Sequence, residues 1–362
     1  MNNPLNNRYT RQVRVSEFGA DGQQKLASSK VLIVGAGALG CPALMYLVAG
    51  GVGTIGVLDG DDVELTNLHR QVLYTDSDLG LPKSIAAANK LKAMNSSISI
   101  VPIQAHLHKG NALEIISNYD IVVECSDNFA TKFLVNDACV MLGKPFIIGG
   151  AIQFSGQLSV YNFKGGPTYR CLISDEPDPL EVPSCSDAGV IGMVPGVIGT
   201  LQALEALKVI SGVGTTLSGK LLHFDGLNMQ FSEFDIELNP INLIIAELKE
   251  YEYSCPDNLL AEKQLSTDEF INILNSSEPF EILYFTDDNE PFKYKSIEVA
   301  PTPIYELPNL VSSLPRNKKI ILVCEYGIKS LSALQYLIVK HNFEKVWNLK
   351  SGIAEIRTLE KY

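Results

Sequence analysis

The sequence predicts an α/β protein in which a mostly parallel sheet, covered by helices on both faces, is followed by a smaller α/β domain. Three observations predict it. Through the first 210 residues, runs rich in Val and Ile alternate with helical apolar patterns, the signature of β-α-β units whose strands are buried on both sides. A glycine-rich string, Gly35-Ala-Gly-Ala-Leu-Gly40, stands between the first strand and the first helix of that series. A polar stretch carrying Pro256, from Tyr251 to Lys263, then interrupts the pattern before strands and helices resume. The length of 362 residues suits two domains, and the boundary is expected at Asn258, giving domains 1–258 and 259–362.

The buried strands are expected at 31–35, 54–59, 98–105, 120–126 and 145–152, with helices such as Ala38 to Ala49 and Lys83 to Met94 between them. Leu158 to Tyr161 alternates like an antiparallel strand. Gly165 to Gly192 holds four prolines and two cysteines with little periodicity and reads as a long functional loop. A helix is expected from Val194 to Ile210, then a strand pair at 220–226 and 229–236. In the second domain the elements are a helix at 266–274, strands at 281–285 and 318–324, a helix at 330–340 and a strand at 345–349.

Composition narrows the function. Charged residues are 19% against about 25% in an average chain, and hydrophobic types reach 46%, which excludes general disorder. Lys+Arg 29 against Asp+Glu 41 gives a net charge of −12, so a polyanion such as nucleic acid is not the expected partner. Val31 to Leu58 lacks any Asp, Glu, Lys or Arg, but seven glycines divide it into strand, loop, helix, turn and strand rather than a membrane span. The first 19 residues hold three arginines and no apolar core segment, and the seven cysteines form no C-x-x-C pair, so a cytoplasmic protein without a secretory signal is expected.

Gly35, Gly37 and Gly40 let a phosphate approach the backbone at a helix N-terminus, where N–H donors and partial positive charge collect. Asp59 lies at the end of the next strand, 19 residues past Gly40, where a carboxylate can accept from ribose hydroxyls. These residues alone leave a nicotinamide or flavin open. The string that follows, Asp59-Gly-Asp-Asp-Val-Glu-Leu-Thr-Asn-Leu-His-Arg-Gln71, favours a triphosphate, because Arg70 offers a guanidinium fork and Lys83 a mobile charge for phosphate oxygens. Asp127, ending the fourth strand, can hold Mg²⁺ or a phosphate-bound water. Topology brings Gly37, Asp59 and Asp127 to one crevice. The expected nucleotide set also takes in Asp61, Asn67, Gln71 and Asn128, with His69 lining the site.

With RYTRQ at 8–12, GAGALG at 35–40, LDGDDVELTNLHRQ at 58–71, Gly80-x-x-Lys83 and ECSDN at 124–128, the chain resembles the adenylyltransferases that activate ubiquitin-like sulfur carriers in molybdopterin and thiamine biosynthesis. The resemblance covers roughly residues 5 to 258. From about Lys263 onward the chain resembles a rhodanese-like domain, through Cys324-Glu-Tyr-Gly-Ile-Lys-Ser330 and WNLKSGI at 347–353. These resemblances imply a Rossmann-like adenylation domain, ATP as substrate, and adenylation of a carrier's C-terminal glycine followed by sulfur transfer to a thiocarboxylate. They further imply that Asp59 and Asn67 bind the adenosine end, that Arg70 and Lys83 hold phosphates, and that Asp127 positions Mg²⁺. Arg11 would reach in from the second protomer of a homodimer. Cys185, in the long loop, would capture the carrier's C-terminus, and Cys324 would carry persulfide sulfur, supplied in the simplest case by a cysteine-desulfurase-type donor.

The chain departs from these families at the zinc thiolates and in the rhodanese-like part, where Lys329 also stands in place of a common Arg and EILYFTDD at 281–288 lacks the usual Asp-Val-Arg. Family members often hold a structural zinc with two C-x-x-C pairs. Here Thr168 and Asn258 stand where thiolates would pair with Cys171 and Cys255, so zinc is not expected. Glu325 follows Cys324 where a basic residue is usual, and a neighbouring carboxylate disfavours thiolate. Two other functions therefore stand beside the enzyme: a nucleotide-binding regulatory module with a degenerate rhodanese domain, and an NAD-dependent oxidoreductase on the same glycine loop.

Overall fold

The computed structural model describes residues 8–175, 189–251, 262–276, 279–286, 290–295 and 297–359. These residues fall into two compact units, the first ending at Tyr251.

In the first unit eight strands form one sheet: β1 (Lys30–Val34), β2 (Thr54–Leu58), β3 (Ser99–Ile103), β4 (Ile121–Glu124), β5 (Phe146–Ile152), β6 (Ser155–Tyr161), β7 (Lys220–Asp225) and β8 (Gln230–Asp235). Their order is β3-β2-β1-β4-β5-β6-β7-β8. The first five are parallel and the last three antiparallel. The helices among its described residues are α1 (Thr10–Val13), α2 (Gly19–Ser28), α3 (Gly40–Gly50), α4 (Lys83–Met94), α5 (Ala112–Ser117), α6 (Phe129–Met141), α7 (Tyr169–Leu172) and α8 (Met193–Ser211).

Why β1 reads as an unbroken apolar run is visible in its two faces. Val31 and Ile33 pack with Leu44, Leu47 and Ile198 on one side, while Leu32 and Val34 pack with Phe133, Leu134 and Phe146 on the other. Each face is sealed from water, so the alternation of a one-sided strand is lost. The uncharged stretch from Val31 to Leu58 is accordingly β1, α3 and β2. The one described helix long and apolar enough to cross a membrane, α8, packs on α2, α3, β5 and β6 with Ile198, Ala203 and Ala206 buried.

The second unit has a parallel five-stranded sheet in the order β13-β10-β14-β15-β9, from β9 (Gln264–Leu265), β10 (Phe280–Phe285), β13 (Pro301–Thr302), β14 (Lys319–Cys324) and β15 (Val346–Leu349). A hairpin, β11 (Phe292–Tyr294) with β12 (Ile297–Val299), forms a separate two-stranded sheet whose Phe292 and Tyr294 share a core with Ile282 and Tyr284 of β10. The helices among the described residues of this unit are α9 (Thr267–Leu274), α10 (Leu307–Leu310), α11 (Ile328–Gln335) and α12 (Ile353–Leu359). The helix expected over 330–340 is α11 followed by a π-helical turn at Tyr336–Lys340. Ser266 starts α9 with a capping box, its hydroxyl accepting from Glu269 N.

Candidate active site

The glycine loop lies at the carboxyl edge of the sheet, gripped between the ends of β2 and β4. Gly35 has φ +90°, a conformation open to glycine at little cost, and its amide donates to Leu58 O at 2.8 Å. Gly40 is needed for space: a Cβ there would lie 2.0 Å from Gly35 O. Asp59 holds the loop, its Oδ2 accepting from Ala36 N at 2.7 Å and its Oδ1 from Asp61 N at 2.9 Å. Each oxygen keeps a lone pair for a further donor. Burial pushes the Asp59 carboxyl above the usual range, and the nearby Lys83 charge pulls it partly back.

Lys83 opens α4 and is buried, with Nζ 2.9 Å from Asp61 Oδ2. The two residues are also joined through the backbone, Lys83 N donating to Asp61 O at 2.8 Å. Tyr74 fastens the same corner, its hydroxyl lying 2.8 Å from Ala36 O and 3.3 Å from Lys83 O. Sequence reasoning missed Tyr74, because one aromatic in a polar stretch carries no pattern. Cys41 behind the loop is core, and burial pushes its thiol up to about 12.

The string after Asp59 folds back over this corner. Asn67 closes a one-turn helix, Leu65–Asn67, and its Oδ1 accepts from Glu64 N at 3.2 Å. Arg70 is half-buried, with Nη1 donating to Thr66 O at 2.9 Å and lying 2.7 Å from His69 Nε2. Gln71 is 5% exposed, and its Oε1 is buried without a hydrogen-bond partner. Its amide end sits beside Gly37, with Nε2 3.6 Å from where a Cβ on that glycine would be. A buried carbonyl oxygen lacking a donor costs about 1–3 kcal/mol, so this corner fits a ligand that brings N–H or O–H groups, as a nucleotide does.

Asp127 is exposed in the loop after β4, and Asn128 beside it caps α6 by accepting from Thr131 N at 2.8 Å. Arg11 lies elsewhere. The α1 segment is tied to the far end of α3, Gln12 Nε2 donating to Gly50 O at 3.1 Å, and Arg8 Nη1 to Met94 O at the far end of α4. Gly50 lies ten residues along α3 from Gly40 of the glycine loop, about 15 Å of helix, so Arg11 is not beside its own chain's crevice.

Cys185 and Cys255 lie outside the described residues. Cys171 is held by donors from Thr168 N at 3.4 Å, Asn239 N at 3.5 Å and Asn242 Nδ2 at 3.6 Å. Burial acts to raise its thiol, but these hydrogen bonds outweigh it and leave the thiol below its ordinary range. In the second unit Cys324 ends β14 with its sulfur buried, 3.2 Å from Ser330 Oγ and 3.4 Å from Ser330 N. The loop beyond it is tightly seated: Gly327 has φ +79°, and a Cβ there would fall 2.0 Å from Lys350 O. Ser330 is a further residue that sequence reasoning did not single out.

A glycine loop locked to a buried carboxylate at the end of the next strand, with buried and half-buried cations on the same sheet edge, defines a nucleotide-binding α/β protein of the doubly wound class. Within that class the chain belongs to the ThiF family, whose pattern matches residues 9–242. It is 47% identical over 283 residues to the adenylyltransferase and sulfurtransferase MOCS3 of Aedes aegypti, covering 75% of this chain and 64% of that protein. Against the adenylyltransferase and sulfurtransferase MOCS3-2 of Drosophila pseudoobscura pseudoobscura it is 36% identical over 374 residues, covering 96% of this chain and 82% of the relative. Among solved structures, E. coli MccB with ATP superposes with a TM-score of 0.58 at 26% identity, covering 66% of this chain and 74% of MccB.

Proposed function

We propose that the chain adenylates the C-terminal glycine of a small ubiquitin-like sulfur carrier and then delivers sulfur to it through cysteine, leaving a thiocarboxylate. The observation that supports this most is the corner joining Gly37, Asp59, Gln71 and Lys83, where a buried acceptor lacks a donor beside a glycine cradle. Asp59 accepts from ribose, while Arg70 and Lys83 neutralise phosphates. The carrier's carboxylate oxygen attacks the α-phosphorus, the bond from that phosphorus to the bridging oxygen breaks, and pyrophosphate leaves with the electron pair. Two anions must meet in this step, so cations set in place beforehand lower its barrier. Asp127 is the residue to hold Mg²⁺, which when bound supplies further charge neutralisation on the phosphates.

The reading extends to the rest of the chain. Residues 1–258 form the adenylation domain and 259–362 the rhodanese-like domain, with Cys324 carrying persulfide sulfur from a cysteine-desulfurase-type donor and Cys185 capturing or resolving the activated carrier. The protein acts as a cytoplasmic homodimer without zinc. Anchorage of α1 at the far end of α3 supports Arg11 acting in the partner's crevice. ATP–pyrophosphate exchange tests the site: it requires a carrier ending in Gly-Gly, and Asp127→Ala abolishes it. Normal exchange in that variant would sink the site assignment.

A further inference from the structure

Beneath the loop that carries Asp127 lies a buried ion pair that the reaction above does not use. Glu124, the last residue of β4, is wholly buried, and Lys132, in α6, is 7% exposed. Lys132 Nζ lies 2.6 Å from Glu124 Oε2 and donates to Ser126 O at 2.6 Å, while Ser126 N donates to Glu124 Oε1 at 2.7 Å. Both backbone polar groups of Ser126 are thus tied to the pair. Gln202 of α8 holds the root of the loop, its Nε2 donating to Glu124 O at 2.7 Å, and the Asn128 cap closes its other end. The glycine loop rests on the same segment: a Cβ on Gly35 would be 3.0 Å from the Cys125 carbonyl and 3.1 Å from Ser126 N.

Two charges taken out of water are a poor source of stability, since an apolar pair of similar volume often serves as well or better. What an apolar pair cannot do is bind Ser126 on both sides. We propose that Glu124 and Lys132 are positioning residues of the nucleotide site, fixing the Ser126 backbone so that Asp127 is presented to the metal-bound triphosphate. The inference rests on the reading of Asp127 given above. Groups that orient a metal-binding residue without touching the metal commonly set affinity or activity by about 10- to 100-fold.

The test uses the full chain with Glu124→Met/Lys132→Met, which removes both charges together and avoids an orphaned one. Its thermal midpoint should stay at or above wild type. Amide hydrogen exchange over residues 125–128 of the nucleotide-free protein should become about tenfold faster. By calorimetry, ATP binding with Mg²⁺ should weaken about tenfold, while ATP binding in EDTA stays within about twofold. Wild-type protection and wild-type Mg²⁺-dependent binding in the folded double variant would overturn the proposal. Should the double variant not fold, Lys132→Arg, which keeps charge and donors, must stay near wild type while Lys132→Gln loses about tenfold in Mg²⁺-dependent binding. Equal behaviour of those two variants would also overturn it. Asp127→Ala separates the two readings: if it leaves Mg²⁺-dependent binding intact, both fall, and if it removes that binding while the pair variants are silent, the pair alone falls.

Discussion

Gly40→Ala sets two physical effects against each other at the first residue of α3. Helix propensity alone favours alanine by up to about 1 kcal/mol, which would make the variant more stable. Space opposes it: the new methyl would sit 2.0 Å from Gly35 O, a backbone atom that cannot swing aside as a side chain would. Ordinary contact requires a shift of about 1 Å or more, and forcing a methyl group into a packed site costs about 1–3 kcal/mol. A net loss of about 1–2 kcal/mol is therefore expected in urea unfolding. The displaced glycine loop also moves the Ala36 amide off Asp59, and a misplacement of about 1 Å costs on the order of 100-fold in rate, to be read by ATP–pyrophosphate exchange. A variant that gains stability and keeps exchange within about twofold would refute the argument that close approach, rather than chain flexibility, requires this glycine.

Asp59→Asn tests the cost of the buried carboxylate. Because the folded state raises its pKa, the stability gained from the protonated form is present below about pH 4 and is lost as pH rises through the folded pKa. The wild type should thus lose stability relative to Asp59→Asn as pH increases from about 4, measured by urea unfolding across pH, and the opposite slope would contradict the assignment. For Arg11, mixing inactive Arg11→Ala and inactive Asp127→Ala proteins should restore about a quarter of wild-type exchange, since half the dimers then contain one intact composite site. No recovery after subunit exchange would place Arg11 outside the partner's site.

The features legible in the sequence are those with a local period or a fixed spacing. Lys83–Met94 is a helix in both the apolar pattern and the structure, and β1, β2, β4 and β5 fall within two residues of their apolar runs. The glycine loop and Asp59 meet as their spacing implied. Tyr74, Glu124, Lys132 and Ser330 were not legible, because each acts through contacts that no periodicity encodes. Glu124 closes an apolar run and Lys132 sits eight residues later, so only the path of the loop between them brings the charges together. In the second unit β9 has two residues and β11 and β12 three each, too short for an alternation to register. The turn at Tyr336–Lys340 escaped because an apolar helical pattern is compatible with a π turn over one winding. Asn67 and Asn128 also have local roles that spacing does not show, since their side-chain oxygens accept from neighbouring backbone amides.

The carrier's C-terminus reports the central claim most directly. With ATP, Mg²⁺, a Gly-Gly-ending carrier and a persulfide donor, intact-mass measurement should show the carrier gaining about 16 Da as sulfur replaces oxygen, with Cys324→Ala and Cys185→Ala both reducing that product while leaving pyrophosphate exchange nearly unchanged. A carrier whose mass never changes in the presence of active wild-type protein would contradict sulfur transfer. Conversion at the wild-type rate by both cysteine variants would reduce the chain to an adenylating enzyme whose second domain serves another purpose.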